Sequence, residues 1–197
     1  DWNTRVNLTA ITEPEDVAKK HFLDSLAASP YLKQGAVIVD VGTGAGFPGL
    51  PLLIFRPDLK VTLMDSLQKR LVFLEAVCKE LKLKAELVHA RAEDAGQNPK
   101  YREKFDVALT RAVSALPVLC ELTLPLVKVG GVSIAYKGDS QEELAASKNG
   151  LSVLHATAER VVIPADYGAR ELVILTKNGT TPKQYPRKAG TPAKSPL

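Results

Sequence analysis

The chain has 197 residues and a mass of 21.3 kDa, which fits one domain with a substantial core. Apolar residues make up 45% of it and charged residues 24%, the balance of a folded globular protein and not of a collagen-like, coiled-coil or mostly disordered one. No apolar run reaches the roughly 18–20 residues of a membrane helix, and no secretory signal opens the chain. We therefore expect no membrane partner.

The two cysteines, Cys78 and Cys120, lie far apart in the sequence and outside any metal-ligand motif. This excludes a disulfide scaffold and a zinc site, and it favours a reduced, cytoplasmic protein.

The formal net charge of +4 is concentrated near the C-terminus. Residues 176–197 contain no acid and five cations, namely Lys177, Lys183, Arg187, Lys188 and Lys194. A basic arm of this kind favours contacts with nucleic-acid phosphates, and a solvated terminus is the alternative. Because this segment is rich in Pro and Gly, we expect it to be extended and free of helix.

The spacing of apolar residues predicts a first helix that begins after Thr12, as N-cap, and ends near Ser29, with Glu15 completing a capping box. Residues 2–11 are expected to be a connector.

Short β-branched runs then alternate with helical patterns. Strands are predicted over residues 37–41, 60–64, 85–89, 105–109 and 131–136. Helices are predicted over residues 48–55, 67–81 with Ser66 as N-cap, 114–124 and 141–147. This alternation indicates a parallel sheet with helices on both faces.

The last two predicted strands, residues 156–163 and 170–176, are joined only by a loop and should form an antiparallel hairpin. The expected fold class is α/β and Rossmann-like, with a mostly parallel seven-stranded sheet that ends in this hairpin. We predict one domain, in which residues 1–30 form the connector and first helix, 36–176 the core, and 177–197 the basic arm.

The strongest local signal follows the first predicted strand, where Asp40 precedes the glycine-rich run 42–46. Ligands of open parallel sheets bind beyond the carboxyl ends of the strands, and glycines let the backbone approach them closely. Gly44-x-Gly46-x-x-Gly49 also satisfies the dinucleotide fingerprint, so this pattern alone leaves NAD open. Asp40, which suits a cationic group, and the terminal hairpin argue against NAD.

Further polar residues follow the next strands at the same edge of the sheet. Asp65 can accept both hydroxyls of an adenosine ribose, or it can cap a helix. Ala92 and Glu93 can border an adenine, or they can begin a short helix. Arg111 either lines the cleft or pairs with an acid on its rim.

Together these features resemble the class I S-adenosylmethionine-dependent methyltransferases. More specific segments resemble one family within that class, the bacterial glucose-inhibited division protein B family. These segments are Trp2-Asn3, Asn7-Leu8-Thr9, His21-Phe22-Leu23-Asp24-Ser25-Leu26, Gly46-Phe47-Pro48-Gly49-Leu50-Pro51, Asp65-Ser66-Leu67-Gln68-Lys69-Arg70, Arg111-Ala112, Lys137-Gly138 and Tyr185-Pro186-Arg187-Lys188-Ala189-Gly190-Thr191-Pro192.

The resemblance implies an enzyme that methylates N7 of a guanine in 16S ribosomal RNA. Members of the family normally have more helical sequence before the Trp-Asn segment, so a truncated start is expected. The implied cofactor is S-adenosylmethionine, the implied partner is 16S ribosomal RNA or the small ribosomal subunit, and no metal is implied. We expect a monomer in the cytoplasm.

The cofactor-binding residues that we expect are Asp40, Gly42, Gly44, Phe47, Asp65, Ser66, Ala92, Glu93 and Arg111. Guanine N7 carries a free lone pair at neutral pH, so its methylation needs no general base. Arg111 and Lys137 are therefore expected to position a phosphate or the guanine O6. His21 could stack on a base or contact the glycine loop, and the role of Asp24 stays open.

Three other functions remain open at this point. One is methyl transfer to a protein or a small metabolite, although residues 110–113 lack the Asn-Pro-Pro-Tyr-like motif of many amino-group methylases. The others are an NAD-linked dehydrogenase and a ribosome-binding module without catalysis.

Overall fold

A computed structural model describes residues 2–6 and 8–197, so Asp1 and Asn7 lie outside the described residues. A seven-stranded sheet forms its centre, with the strand order β3-β2-β1-β4-β5-β7-β6. The strands are β1 (Val37–Val41), β2 (Lys60–Asp65), β3 (Ala85–His89), β4 (Phe105–Arg111), β5 (Val127–Lys137), β6 (Ala156–Val162) and β7 (Glu171–Lys177).

Strands β1 to β5 run parallel to one another, whereas β7 pairs antiparallel with both β5 and β6. The predicted fold class and the terminal hairpin are thus confirmed. The central strands β1, β2 and β4 are buried along most of their length, because helices cover both of their faces. The edge strands β3 and β6 are more exposed.

Helices pack on both faces of this sheet. They are α1 (Trp2–Val6), α2 (Pro14–Val17), α3 (Asp24–Leu26), α4 (Gly49–Phe55), α5 (Gln68–Glu80), α6 (Ala92–Gln97), α7 (Leu116–Thr123), α8 (Gln141–Ala146), α9 (Lys148–Val153) and α10 (Thr191–Lys194). A π-helical segment, Ala18–Leu23, joins α2 to α3. Such π segments are uncommon and are frequent at functional sites.

Two helix starts differ from the sequence-based prediction. The first helix begins at Pro14 with Glu13 as N-cap, so Thr12 lies one residue too early to cap it. Ser66 is not the N-cap of α5, since that position belongs to Leu67. The reason is that the Asp65 carboxylate accepts a hydrogen bond from the Leu67 N–H, at 2.9 Å, and fixes the turn before the helix.

The two ends of the chain also differ from expectation. The expected connector contains the helix α1, whose Trp2 ring packs edge-on against Phe73 of α5 at 5.6 Å between centroids. The expected helix-free arm contains α10, and Lys177 belongs to β7. Helix α9 was not predicted at all. None of the helices in the described part of the chain is long and apolar enough to cross a bilayer.

Two glycines with positive φ allow a test of how tightly the loop after β1 is packed. Gly46 (φ 94°) and Gly130 (φ 83°) share the backbone strain that an alanine would meet. A Cβ at Gly46 would also lie 2.5 Å from Cδ1 of Leu50, whereas at Gly130 it would have no heavy atom within 4 Å. Gly130→Ala should therefore lower the free energy of unfolding by about 1–2 kcal/mol. Gly46→Ala should cost about 1–3 kcal/mol more, because of overpacking. Urea denaturation of both variants measures the difference, and equal losses would contradict the tight packing of this loop.

Candidate active site

Asp40 holds the glycine-rich loop in place through hydrogen bonds. Its Oδ2 accepts hydrogen bonds from the Thr43 hydroxyl at 2.7 Å and from the Gly49 N–H at 2.9 Å, so it ties the loop to the start of α4. The side chain is fully buried, and its Oδ1 has no hydrogen-bond partner among the described residues. Burial raises the pKa of Asp40 to about 6, although these two hydrogen bonds lower it.

Asp65, at the end of β2, joins the glycine loop to the start of α5. Its Oδ2 accepts a hydrogen bond from the Gly44 N–H at 2.9 Å and from Arg70 at 3.2 Å, while its Oδ1 accepts one from the Leu67 N–H. Two carboxylate oxygens accept about four hydrogen bonds. Asp65 therefore keeps capacity for one further donor, and for a second one if the half-buried Arg70 withdraws.

Five of the predicted cofactor residues line one cleft of about 230 Å³ at the carboxyl ends of β1, β2 and β3: Gly42, Asp65, Ser66, Ala92 and Glu93. We call it the acidic cleft. Its other walls are mainly apolar and include Met64, Val113, Val118, Leu122 and Ala193, and one cation, Arg91, also lines it. Two carboxylates against apolar walls match the chemistry of an adenosine, whose ribose donates hydrogen bonds and whose base presents flat apolar faces.

Close approach of two loops shapes this cleft. A Cβ on Gly42 would lie 2.7 Å from Cγ2 of Val113, so only glycine lets the loop after β1 approach the loop after β4. In that second loop Ala112 has φ 55°, a left-handed conformation that costs about 1–2 kcal/mol for a residue with a Cβ. Backbone strain of this kind is concentrated at functional sites.

A second cleft, of about 360 Å³, lies on the other side of this β4–α7 loop. We call it the basic cleft, because Lys20, Arg111, Lys137 and Arg170 line it together with Asp24. Ala112 borders the basic cleft and Val113 borders the acidic cleft. Consecutive residues of one loop thus separate the two clefts.

Arg111 is held in place by several partners, so it does not extend freely into the basic cleft. Its guanidinium donates to Asp24 Oδ2 at 3.1 Å, to His21 Nδ1 at 3.1 Å and to the Lys20 carbonyl at 3.2 Å. It also lies 5.1 Å from the centroid of the Phe47 ring, within the range of a cation–π contact. Asp24 is buried and also pairs with Arg170, at 3.2 Å.

His21 contacts the glycine loop, which was one of its two expected roles. Its ring stacks on Phe47 at 4.7 Å between centroids, with 15° between the planes. Because Arg111 has only donors, His21 Nδ1 accepts, and Nε2 therefore carries the proton and donates to Thr9 Oγ1 at 2.8 Å. Burial, with a smaller contribution from Arg111, lowers the pKa of the His21 ring and keeps it neutral.

The Trp2-Asn3 segment serves the same cluster. Asn3 Oδ1 accepts hydrogen bonds from the backbone N–H groups of Leu8 and Thr9, and its amide donates to the Thr9 carbonyl. This positions the Thr9 hydroxyl that accepts from His21.

Four of the nine expected cofactor residues, namely Asp40, Gly44, Phe47 and Arg111, are not among the described residues that line the acidic cleft. Lys137, which was expected to position the substrate, lies in the basic cleft. Phe47 packs on His21, on Phe22 and under Arg111, and it is not among the described residues that line the acidic cleft. Lys137 donates to the Ser114 carbonyl and pairs with Glu143, both at 2.7 Å, so its charge is already neutralised. Arg111 lies in the basic cleft.

The arm cations are also less available than the sequence suggested. Lys177 is fully buried and pairs with Glu103 at 2.7 Å, and Arg187 pairs with the buried Glu121 at 2.6 Å. Lys183, Lys188 and Lys194 remain exposed.

Sequence reasoning missed several residues that line the clefts. Val113 and Ser114 lie in the loop after β4 and could have been found from that position alone. Arg170 and Ala193 had no such signal, because the hairpin and the arm bring them to the clefts from distant parts of the chain.

Comparison with known proteins places the chain in a family. Residues 1–173 match the model of the GidB family, described as rRNA small subunit methyltransferase G. The chain belongs to this GidB family. It is 52% identical over 202 residues to Ribosomal RNA small subunit methyltransferase G of Desulfitobacterium hafniense, an alignment that covers 100% of this chain and 84% of that protein. Identity to the protein of the same name from Acetivibrio thermocellus is 48%, with the same coverage. The predicted family is therefore confirmed.

Solved structures with low sequence identity share the fold of this GidB chain. A methyltransferase from Pyrococcus furiosus has a TM-score of 0.66 at 16% identity, covering 90% of this chain and 92% of that one. The [4+2]-cyclase SpnF has a TM-score of 0.62 at 15% identity, with 80% of each chain covered. Because a cyclase shares the fold as well, the fold alone does not identify the reaction.

The pKa of Asp40 leads to a prediction for the GidB chain. The pKa of Asp40 is higher in the folded state than in the unfolded state. The folded protein therefore loses stability as the pH rises from the unfolded-state pKa of Asp40 to its folded-state pKa. The free energy of unfolding of the wild type, minus that of Asp40→Asn, should therefore fall by about 2–3 kcal/mol between pH 4 and pH 6.5. Chemical denaturation at several pH values measures this difference. The control is Asp94→Asn, which changes an exposed acid on α6. If the stability of wild type and of Asp40→Asn changes with pH in the same way, the pKa of Asp40 is not raised.

Proposed function

We propose that this chain transfers a methyl group from S-adenosylmethionine to N7 of a guanine in 16S ribosomal RNA. The observation that carries the proposal is the pair of clefts on either side of the β4–α7 loop, in a chain of the GidB family. The acidic cleft would take the cofactor and the basic cleft would take the RNA. The proposal includes a monomeric enzyme that acts in the cytoplasm.

The residues of the acidic cleft suit the cofactor. Asp65 would accept the ribose hydroxyls with the capacity that its backbone donors leave free. Glu93 and Ala92 would border the adenine, and Gly42 would give the backbone room beside it. Asp40 would act indirectly, by holding in place the loop that contains Gly44. When bound, the cofactor supplies an electrophilic methyl group.

The chain's own residues would act by positioning. Methylation of guanine N7 requires no general base, because N7 carries no proton. The neutral His21 would not act as one, because both of its ring nitrogens are hydrogen-bonded, to Arg111 and to Thr9. Neither cysteine is a candidate nucleophile. Both are buried, and burial raises the pKa of Cys78 and raises that of Cys120 to about 12.

On the RNA side, Arg111 and Lys137 would orient the guanine with their guanidinium and ammonium groups held rigidly by Asp24, Glu143 and Ser114. Because N7 must come into line with the methyl group that the cofactor presents, a splayed-out guanine would be the substrate, and not one stacked in a duplex.

Transfer of a labelled methyl group tests the proposed function. Wild-type protein, labelled S-adenosylmethionine and small-subunit ribosomal RNA should give labelled 7-methylguanosine after nucleoside analysis. Label on protein, on another nucleoside, or none at all would refute the proposal. Reduced-nicotinamide binding in a fluorescence titration would instead support a dehydrogenase.

Asp65→Ala should weaken binding of S-adenosylhomocysteine by about 2–4 kcal/mol, since it removes a charged acceptor of hydroxyl groups. Isothermal titration calorimetry measures this loss, and RNA affinity should change much less. The matched control is Asp94→Ala, which removes an exposed acid from the neighbouring α6. Unchanged cofactor affinity in Asp65→Ala would show that another residue holds the ribose.

A further inference from the structure

The C-terminal arm, residues 178–197, is attached to the body along α6 and α7. Arg102 donates to the Tyr185 carbonyl at 2.7 Å and to the Thr181 carbonyl at 2.8 Å, and Gln97 donates to the Pro186 carbonyl at 2.7 Å. A Cβ on Gly96 would lie 2.7 Å from Cγ of Pro186, so the arm touches the surface of α6 directly. These contacts use backbone groups of the arm, which an unattached tail would leave in water.

The arm is fixed most firmly at Arg187. Its guanidinium pairs with Glu121 of α7 at 2.6 Å, its own N–H donates to the same carboxylate at 2.6 Å, and it donates to the Ser195 carbonyl at 2.8 Å. Glu121 is fully buried. A buried carboxylate without its partner is costly, so this pair holds the arm strongly.

Beyond Arg187 the arm reaches the acidic cleft. The Gly190 N–H donates to Glu93 Oε1 at 2.8 Å, and Ala193 lines the cleft together with Val118 and Leu122 of α7. Pro192, which lies between Gly190 and Ala193 in the sequence, is buried at the start of α10. The hydrogen bond from Gly190 fixes Oε1 of Glu93, and Oε2 has no hydrogen bond to another described residue.

We propose that the arm is a wall of the cofactor site, in which Gly190 orients Glu93 and Ala193 closes the adenine end of the acidic cleft. This inference rests on the proposed function, because it takes S-adenosylmethionine as the ligand of that cleft. It replaces the expectation that the arm serves mainly to bind RNA phosphates, since Arg187 is already paired with the buried Glu121.

The first test places bulk at Ala193, which is exposed and should tolerate it without unfolding. Ala193→Trp should weaken binding of S-adenosylhomocysteine at least fivefold in calorimetry. The matched control is Lys194→Trp, the exposed next residue, which does not line the cleft. Wild-type affinity in Ala193→Trp, or an equal loss in Lys194→Trp, would overturn the proposal.

The second test loosens the arm. Arg187→Ala should weaken binding of S-adenosylhomocysteine about tenfold while the salt dependence of RNA binding stays at the wild-type slope. Lys188→Ala, an exposed neighbour, should leave cofactor affinity unchanged. A folded Arg187→Ala protein with a lower melting temperature but wild-type cofactor affinity would overturn the proposal, and so would one that changes only the salt slope. If Arg187→Ala does not fold, the Ala193→Trp result decides.

The wild type separates this inference from the proposed function. Wild-type protein that does not bind S-adenosylhomocysteine refutes the proposed cofactor. Wild-type protein that binds it, with variants that bind equally well, refutes only the role of the arm.

Discussion

The carboxylate of Asp65 holds the candidate site together. It is buried, and it accepts backbone hydrogen bonds from Gly44, in the loop after β1, and from Leu67, in the turn before α5. Two segments that are far apart in sequence therefore share one acceptor. Because the carboxylate also faces the acidic cleft, the group that fixes the shape of the loop is also available to a ligand. Pre-organisation of this kind lowers the ordering cost of binding.

Much of the fold followed from the sequence because strands β1 to β5 are bounded by clear signals. Val37–Val41 is a β-branched run that ends in glycines, and parallel strands buried on both faces require such runs. The positions of Asp65 and Glu93 were predictable for the same reason, since each directly follows a strand and the carboxyl ends of parallel strands share one edge. Family resemblance added Phe47 and His21, but it did not predict that they stack on each other.

The remainder depended on contacts between distant residues. Serine is a common N-cap residue, so Ser66 was a reasonable prediction. In the structure the Asp65 carboxylate accepts the hydrogen bond from the Leu67 N–H instead, and the helix begins one residue later. The five cations of residues 176–197 suggested a surface for phosphates, because a sequence shows charge but does not show pairing. Glu121 and Glu103, which neutralise Arg187 and Lys177, lie more than sixty residues away in the chain, and no local pattern connects them.

Because the arm contacts Glu93 and lines the acidic cleft, docking of the arm and ligand binding in that cleft should be coupled thermodynamically. If docking of the arm completes the wall of the acidic cleft, the ligand binds the docked state more tightly, and binding must in turn stabilise docking by the same free energy. The contacts that would carry this coupling are few and identified: Gly190 to Glu93, and Arg187 to Glu121. Amides of residues 186–193 should consequently exchange their hydrogens more slowly when S-adenosylhomocysteine is bound. The loop that joins β6 to β7, outside the arm, would not share this protection. Since the cations of the basic cleft are held by their own partners, binding of a ligand in the acidic cleft can order the arm without rearranging Arg111 or Lys137.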